Sequence, residues 1–246
     1  VEKNYPFNLY MQDASTNNLL IYLTSNGSQV GTYNMKYNAL YTVENSKSNT
    51  ETLIAQQTGD SLYVINQYNS GNIDPSNAKM LVQENNPIVV LTASNLFSAS
   101  PSLFYVCQLS QSTSFILNTF ISGVKTGYNL PNKTSKPVNI SLVDNFVIIS
   151  FSDGTAEVFD TQKNSFSSFP FCDGSCTTTS VGVDSGLNFY YALPGENKVV
   201  VVQNASSGLK YIPIQDKDII TPIGVFIRES NRFIDDRGKF KLLFIV

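Results

Sequence analysis

Histidine and tryptophan are both missing from this 246-residue chain, and only 14% of its residues are charged. Without histidine there is no Ser-His or Cys-His nucleophile pair, no imidazole base and no histidine ligand for zinc or copper. Any catalysis would rest on carboxylates, tyrosine, lysine or serine. A globular protein ordinarily carries roughly 25% charged residues, so neutral polar groups must form this surface, and 26 asparagines supply many of them. The formal net charge is -3 with no basic stripe, which argues against nucleic acid as a partner. No apolar run approaches the roughly 18 residues that would span a bilayer, so no transmembrane segment is expected. The chain begins at Val1 and carries no signal peptide, which fits a processed terminus whose targeting segment has gone.

Cysteine is scarce too, with three residues. Cys172 and Cys176 bracket the turn Asp-Gly-Ser and read as a local disulfide, because a metal site would need two further ligands. Cys107 lies inside an apolar strand and reads as a small buried hydrophobe. No cofactor or metal is expected from these residues. Four acceptor sequons, at Asn26, Asn132, Asn139 and Asn204, could carry glycans in a glycosylating compartment.

What the chain does have is a rhythm. Leu19, Leu62, Leu103, Phe146, Phe189 and Phe233 each open an apolar and aromatic run, at intervals of 43, 41, 43, 43 and 44 residues. A four-stranded blade needs about 40 to 50 residues, so this period predicts an all-β propeller of six four-stranded blades in one domain, 1–246. The units run over 1–47, 48–86, 87–134, 135–175, 176–217 and 218–246. An innermost strand is expected about ten residues before each opener, at 7–11, 52–55, 88–91, 138–143, 179–183 and 221–226. Outer strands are expected at 39–43, 80–82, 120–124, 166–171 and 209–214. The sixth unit reaches Val246 without one, so either residues 1–5 complete the last blade or the native chain extends further. Asn26-Gly27, Asp153-Gly154, Pro194-Gly195 and Arg237-Gly238 fall between paired runs, where hairpin turns want positive φ.

The run Ile149-Ser-Phe-Ser-Asp-Gly-Thr-Ala-Glu-Val-Phe-Asp160 resembles the hairpin of WD-repeat and quinoprotein-type blades. Asp153-Gly154 matches the turn, and Phe159-Asp160 matches the aromatic-Asp end. Those blades use a buried histidine and tryptophan that this chain lacks, so the resemblance implies blade geometry alone. In composition the chain is similar to secreted and virion-surface proteins of thermoacidophilic archaea.

Five acids, Asp13, Asp60, Asp144, Asp184 and Glu229, each follow the expected innermost strand of a unit. On a closed propeller they would ring one channel mouth, where a close pair could hydrolyse a glycoside or a cluster could hold calcium. Asp13, Asp144 and Asp184 are the catalytic candidates in that reading. Aspartate is also a turn former through its side-chain bonds to backbone, which makes the same five residues ordinary architecture. The stretch 228–241 holds eight charges in fourteen residues; Arg228, Arg232, Arg237 and Lys239 could dock an acidic partner, or could protect an exposed strand edge from aggregation. Three functional readings follow: a non-enzymatic extracellular, cell-surface or virion-surface module that binds protein or glycan; a carboxylate-dependent carbohydrate-active enzyme; and a domain of a larger assembly subunit.

Overall fold

The computed structural model describes residues 8–12, 15–16, 18–23, 29–44, 50–69, 73–98, 100–109, 113–131, 135–172, 176–178, 180–205, 208–214, 222, 225–235 and 238–245. The chain divides into two compact units, Val1–Ile88 and Val89–Val246. Each sheet is an antiparallel meander of strands consecutive in sequence. The first contains β1 (Asn8–Gln12), β2 (Leu19–Leu23) and β3 (Gln29–Tyr33). The second contains β4 (Ala39–Glu44), β5 (Thr50–Gly59), β6 (Leu62–Asn69) and β7 (Lys79–Glu84). The third runs β8 (Ile88–Ser94), β9 (Ser102–Gln108), β10 (Phe115–Ile121) and β11 (Val124–Asn129). β12 (Pro137–Val143), β13 (Phe146–Phe151), β14 (Thr155–Asp160) and β15 (Ser165–Pro170) form the fourth. The fifth holds β16 (Val181–Val183), β17 (Phe189–Leu193), β18 (Lys198–Ala205) and β19 (Gly208–Ile214). β20 (Val225–Asp235) and β21 (Gly238–Ile245) make a hairpin. A four-stranded meander is the blade of a β-propeller, the architecture that the sequence period predicts.

The strand inventory departs from the sequence reading in several places: Phe233, expected to open a new strand after 221–226, lies inside β20, and 52–55, expected innermost, falls in β5, the second strand of its sheet. Residues 39–43, expected as the outer strand of the first unit, pair with β5 and so open the second sheet. β5 is an inner strand, paired with β4 on one edge and β6 on the other, and its consecutive Leu53, Ile54 and Ala55 are fully buried because both of its faces are covered. Residues 120–124, expected as one outer strand, straddle the tight turn Ser122-Gly123 between β10 and β11, where both residues have positive φ (52° and 81°). Pro194-Gly195 does not supply the positive φ of its hairpin; Asn197 does, at 48°. Residues 1–5, Asn26-Gly27 and Arg237 lie outside the described residues.

Alternation along β13 organises the larger unit. Val147, Ile149 and Phe151 face one side with Phe159 of β14, and join Val90, Phe104, Val106, Phe115 and Leu117 of the third sheet in one core. Ile148 faces the other side and, with Ala156 and Phe171, packs against Val181, Phe189, Tyr191, Val200 and Val202 of the fifth sheet. The fourth sheet is thus buried on both faces by its sequence neighbours. Aromatic rings strengthen each contact: Tyr128 and Phe159 lie 4.5 Å apart, and Phe171 stacks on Phe189 at 5.2 Å. Such pairs add about 0.5–1.5 kcal/mol beyond area burial. In the smaller unit Leu19, Met35, Ile54, Tyr68 and Ile73 form a separate core.

The Asp-Gly turn of the fourth sheet has a structural partner. Cys172 and Cys176 are disulfide-bonded, and the bridge lies directly on Gly154, which has φ +81° and where a Cβ would stand 2.4 Å from Cys172 Cβ and 2.6 Å from Cys176 Sγ. The Gly154 carbonyl accepts from the N–H groups of Phe171 (2.9 Å) and Cys172 (3.1 Å), and the Ser152 carbonyl accepts from Thr178 (3.0 Å). The loop leaving β15 is therefore fastened over the β13–β14 turn. Gly154→Ala combines disallowed φ with overpacking and should cost about 2–4 kcal/mol, read as a lowered denaturant midpoint. Replacing both Cys172 and Cys176 by serine opens a loop of only five residues and should cost about 2 kcal/mol, so the glycine variant is the less stable of the two.

Candidate functional site

In an antiparallel meander the turns after the first and third strands share one end of the sheet, and the turn after the second strand lies at the other. That rule sorts the acids of interest. Asp144 follows β12 and Asp184 follows β16, both first strands, so these two hold equivalent places. Asp60 follows β5, the second strand of its sheet, and falls at the opposite end of its blade. Glu229 lies within β20, in register with Lys241, and not in a turn. Asp13 is outside the described residues. The expected ring of five equivalent acids is not formed by Asp60 or Glu229. Among the described residues no group of three or more Cys, Asp or Glu side chains is gathered as a cation site.

Asp144 is exposed at the tip of the β12–β13 turn, with φ 50°. Asp184 is the opposite case, 1% exposed. Its Oδ1 accepts from the N–H groups of Gly186 (2.8 Å) and Asn188 (3.0 Å) and from Asn188 Nδ2 (3.1 Å); its Oδ2 accepts from Asn188 Nδ2 (2.9 Å) and the Tyr190 hydroxyl (3.0 Å). The turn this carboxylate ties includes Leu187 at φ 59°, a costly conformation for a bulky side chain. Asp184 holds that strain in place. Other aspartates do similar work: Asp153 Oδ1 accepts from Thr155 N–H and Oγ1, and Asp160 Oδ1 from Gln162 and Lys163 N–H. Desolvation raises the Asp160 pKa, but the Lys163 and Gln162 N–H bonds and the Lys163 ammonium together hold it below the usual carboxylate value.

Of the sequon asparagines, Asn139 lies in β12 and donates from Nδ2 to Ser141 Oγ at 2.9 Å. Asn204 lies in β18, opposite Leu209, while Asn26 and Asn132 are outside the described residues. Cys107 is buried, and Asn118 Nδ2 donates to its sulfur at 3.4 Å. Arg228 and Arg232 fall in β20 and Lys239 in β21.

Two buried acids escaped the sequence reading, Glu84 at the end of β7 and Glu157 of β14. Glu157 of β14 is fully buried, and its Oε1 accepts from Ser168 Oγ at 2.7 Å across the β14–β15 pair. The signal was there in the alternation Glu157-Val-Phe159, which puts the carboxylate on the face of Phe159.

No protein-family model and no curated protein matches this sequence. Solved structures do match. Virginiamycin B lyase from Staphylococcus aureus superposes with a TM-score of 0.57 at 13% identity, covering 100% of this chain and 93% of that one. The fold is a β-propeller. A catalytically inactive histidine-to-alanine form of the same lyase, solved with quinupristin, gives a TM-score of 0.52 at 15% identity, covering 97% of this chain and 77% of that one. BBS1N in complex with ARL6DN gives 0.56 at 9% identity, covering 99% and 77%.

The Asp184 carboxylate supports a testable expectation. Asp184→Ala removes every side-chain bond to the strained turn, leaving the backbone bonds from Asp184 N–H to the Asn188 carbonyl and from Leu187 N–H to the Asp184 carbonyl, and should cost about 2–4 kcal/mol. Asp184→Asn keeps part of the acceptor set and should cost about half of that. Equal losses in thermal unfolding would contradict the hydrogen-bonding role.

Proposed function

We propose that this chain is a non-enzymatic propeller module at an extracellular, cell or virion surface, where its loops bind protein or glycan or serve assembly. The observation that carries the reading is the state of Asp184. A carboxylate whose two oxygens accept four hydrogen bonds from its own turn and one from Tyr190 of the next strand serves architecture, and it leaves the carbohydrate-enzyme reading without one of its three acids. The propeller neighbours include both a lyase and a propeller solved with a protein partner. The lyase is catalytically inactive in a form whose histidine is replaced by alanine, and these 246 residues contain no histidine at all. The protein-bound neighbour supports the binding role. The Cys172–Cys176 disulfide suits an oxidising compartment.

The native protein, recovered from its source, should appear in the medium, cell-surface or virion fraction with that disulfide closed, and its intact mass should exceed 27.1 kDa if the sequons carry glycan. Recovery from the cytoplasm with free thiols, or a glycoside hydrolase activity abolished by Asp144→Asn, would overturn the proposal.

A further inference from the structure

Each four-stranded sheet ends in a last strand with one side unpaired among the described residues: β7, β11, β15 and β19. Such an edge carries a row of backbone N–H and C=O groups that another strand can take up, and proteins blunt it with proline, bulges or charge. In an antiparallel pair, successive residues turn their backbone groups alternately toward the neighbouring strand and away from it. One known bond therefore fixes the direction of every group along the strand.

Three of the four edges are blunted. Phe171 N–H donates to the Gly154 carbonyl, so Pro170 of β15 turns outward, where it offers no donor. Ala192 N–H donates to the Ser180 carbonyl, and alternation through β17 and β18 turns Pro213 of β19 outward likewise. β7 carries a bulge at Leu81, since Ile65 pairs with Val82 and Asn66 with Met80. β11 has neither device. Leu130 N–H donates to the Phe115 carbonyl at 3.1 Å, and the register from Ile116–Asn129 to Ile121–Val124 runs without a shift, so Lys125, Gly127 and Asn129 direct their backbone groups away from the sheet. Val124 is 65% exposed, and Lys125, Thr126, Gly127 and Asn129 are exposed with it. Pro131, two residues beyond Asn129, has no N–H and ends the row.

We infer that β11 pairs antiparallel with β11 of a second copy of this chain, about a two-fold axis at Gly127. With Gly127 opposite the partner's Gly127, Lys125 faces the partner's Asn129 and Asn129 faces the partner's Lys125. Each copy then supplies three donors and three acceptors, and six backbone hydrogen bonds cross the axis. The chain itself selects this register. A slide of two residues one way sets Lys125 against the partner's Pro131, which cannot donate; the opposite slide runs Asn129 onto the Ser122-Gly123 turn, where both residues have positive φ. Charge agrees as well, because Lys125 is the one charged residue in Val124–Asn129 and stands across from a neutral amide. Val124 comes to lie across from the partner's Leu130, and Thr126 from the partner's Tyr128, pairs that favour strands. A foreign strand would need both this length and a neutral residue opposite the lysine, and a second β11 has them already. One strand edge buries less than the roughly 1,600 Å² of a standard interface, so the association is weak and reversible. The inference does not rest on the surface-module reading, which a monomeric chain would leave standing.

The test is sedimentation equilibrium of the full chain from about 10 µM to about 1 mM, a range suited to a weak contact, with amide exchange read at both ends. Dimer should accumulate with concentration, and the N–H groups of Lys125, Gly127 and Asn129 should exchange several-fold more slowly at the higher one. Lys125→Pro copies the outward prolines of β15 and β19 and should weaken association about tenfold. Asn129→Glu, opposite the partner's Lys125, should tighten it about threefold, and Asn129→Lys should weaken it by about as much. These two variants change an exposed side chain and keep the test decisive if the proline variant fails to fold. A chain still monomeric at the highest concentration, a dimer indifferent to folded Lys125→Pro, Asn129 variants that shift association in the same direction, or uptake of an extended peptide of unrelated sequence in place of a second copy would overturn the inference.

Discussion

The larger unit depends on one constraint, the burial of the fourth sheet on both faces. β13 has no solvent side: Val147, Ile148, Ile149, Ser150 and Phe151 are each fully buried. Odd-numbered residues fill the core shared with the third sheet and even-numbered ones the core shared with the fifth. A one-residue slip would exchange the two faces, so the register of β13 fixes both cores together. Stacking sheet on sheet in this way leaves the blades to meet through apolar faces and their ends to carry loops.

Polar groups then serve the turns. Asp153, Asp160 and Asp184 each bond backbone N–H groups two to four residues on, which specifies the hairpins locally while the apolar faces specify the stacking. The disulfide acts at the same level, closing the connection out of β15 over a glycine that has no room for a side chain. Chemistry at these acids is constrained by that service, above all at Asp184. What protrudes from the turns of the third sheet is apolar, Phe97, Ile121 and Val124, with Lys125 beside Val124.

The period was legible because each blade repeats one meander, and the openers Leu19, Leu103, Phe146 and Phe189 each lie at or next to the start of a second strand. Leu62 broke the pattern by opening a third strand, since β4 had been assigned to the preceding blade. Short apolar runs do not announce which neighbour they will pair with; Ala39–Glu44 reads equally well as the end of one sheet or the start of the next. The same miscount moved Asp60 to the wrong end of its blade, and with it the ring of acids. Glu157 is hard to read from sequence because a charged residue in a strand reads by default as the solvent side, even though its alternation with Phe159 points it inward. The disulfide was legible from spacing alone; its seat on Gly154 required the fold.

Native-state hydrogen exchange tests the double burial of the fourth sheet most directly. The amides of β13 should be among the slowest in the larger unit, opening only with global unfolding, while those on the outer strand β15 exchange faster through local opening. Exchange of β13 as fast as β15, or an opening free energy well below that of global unfolding, would contradict a sheet held between two cores.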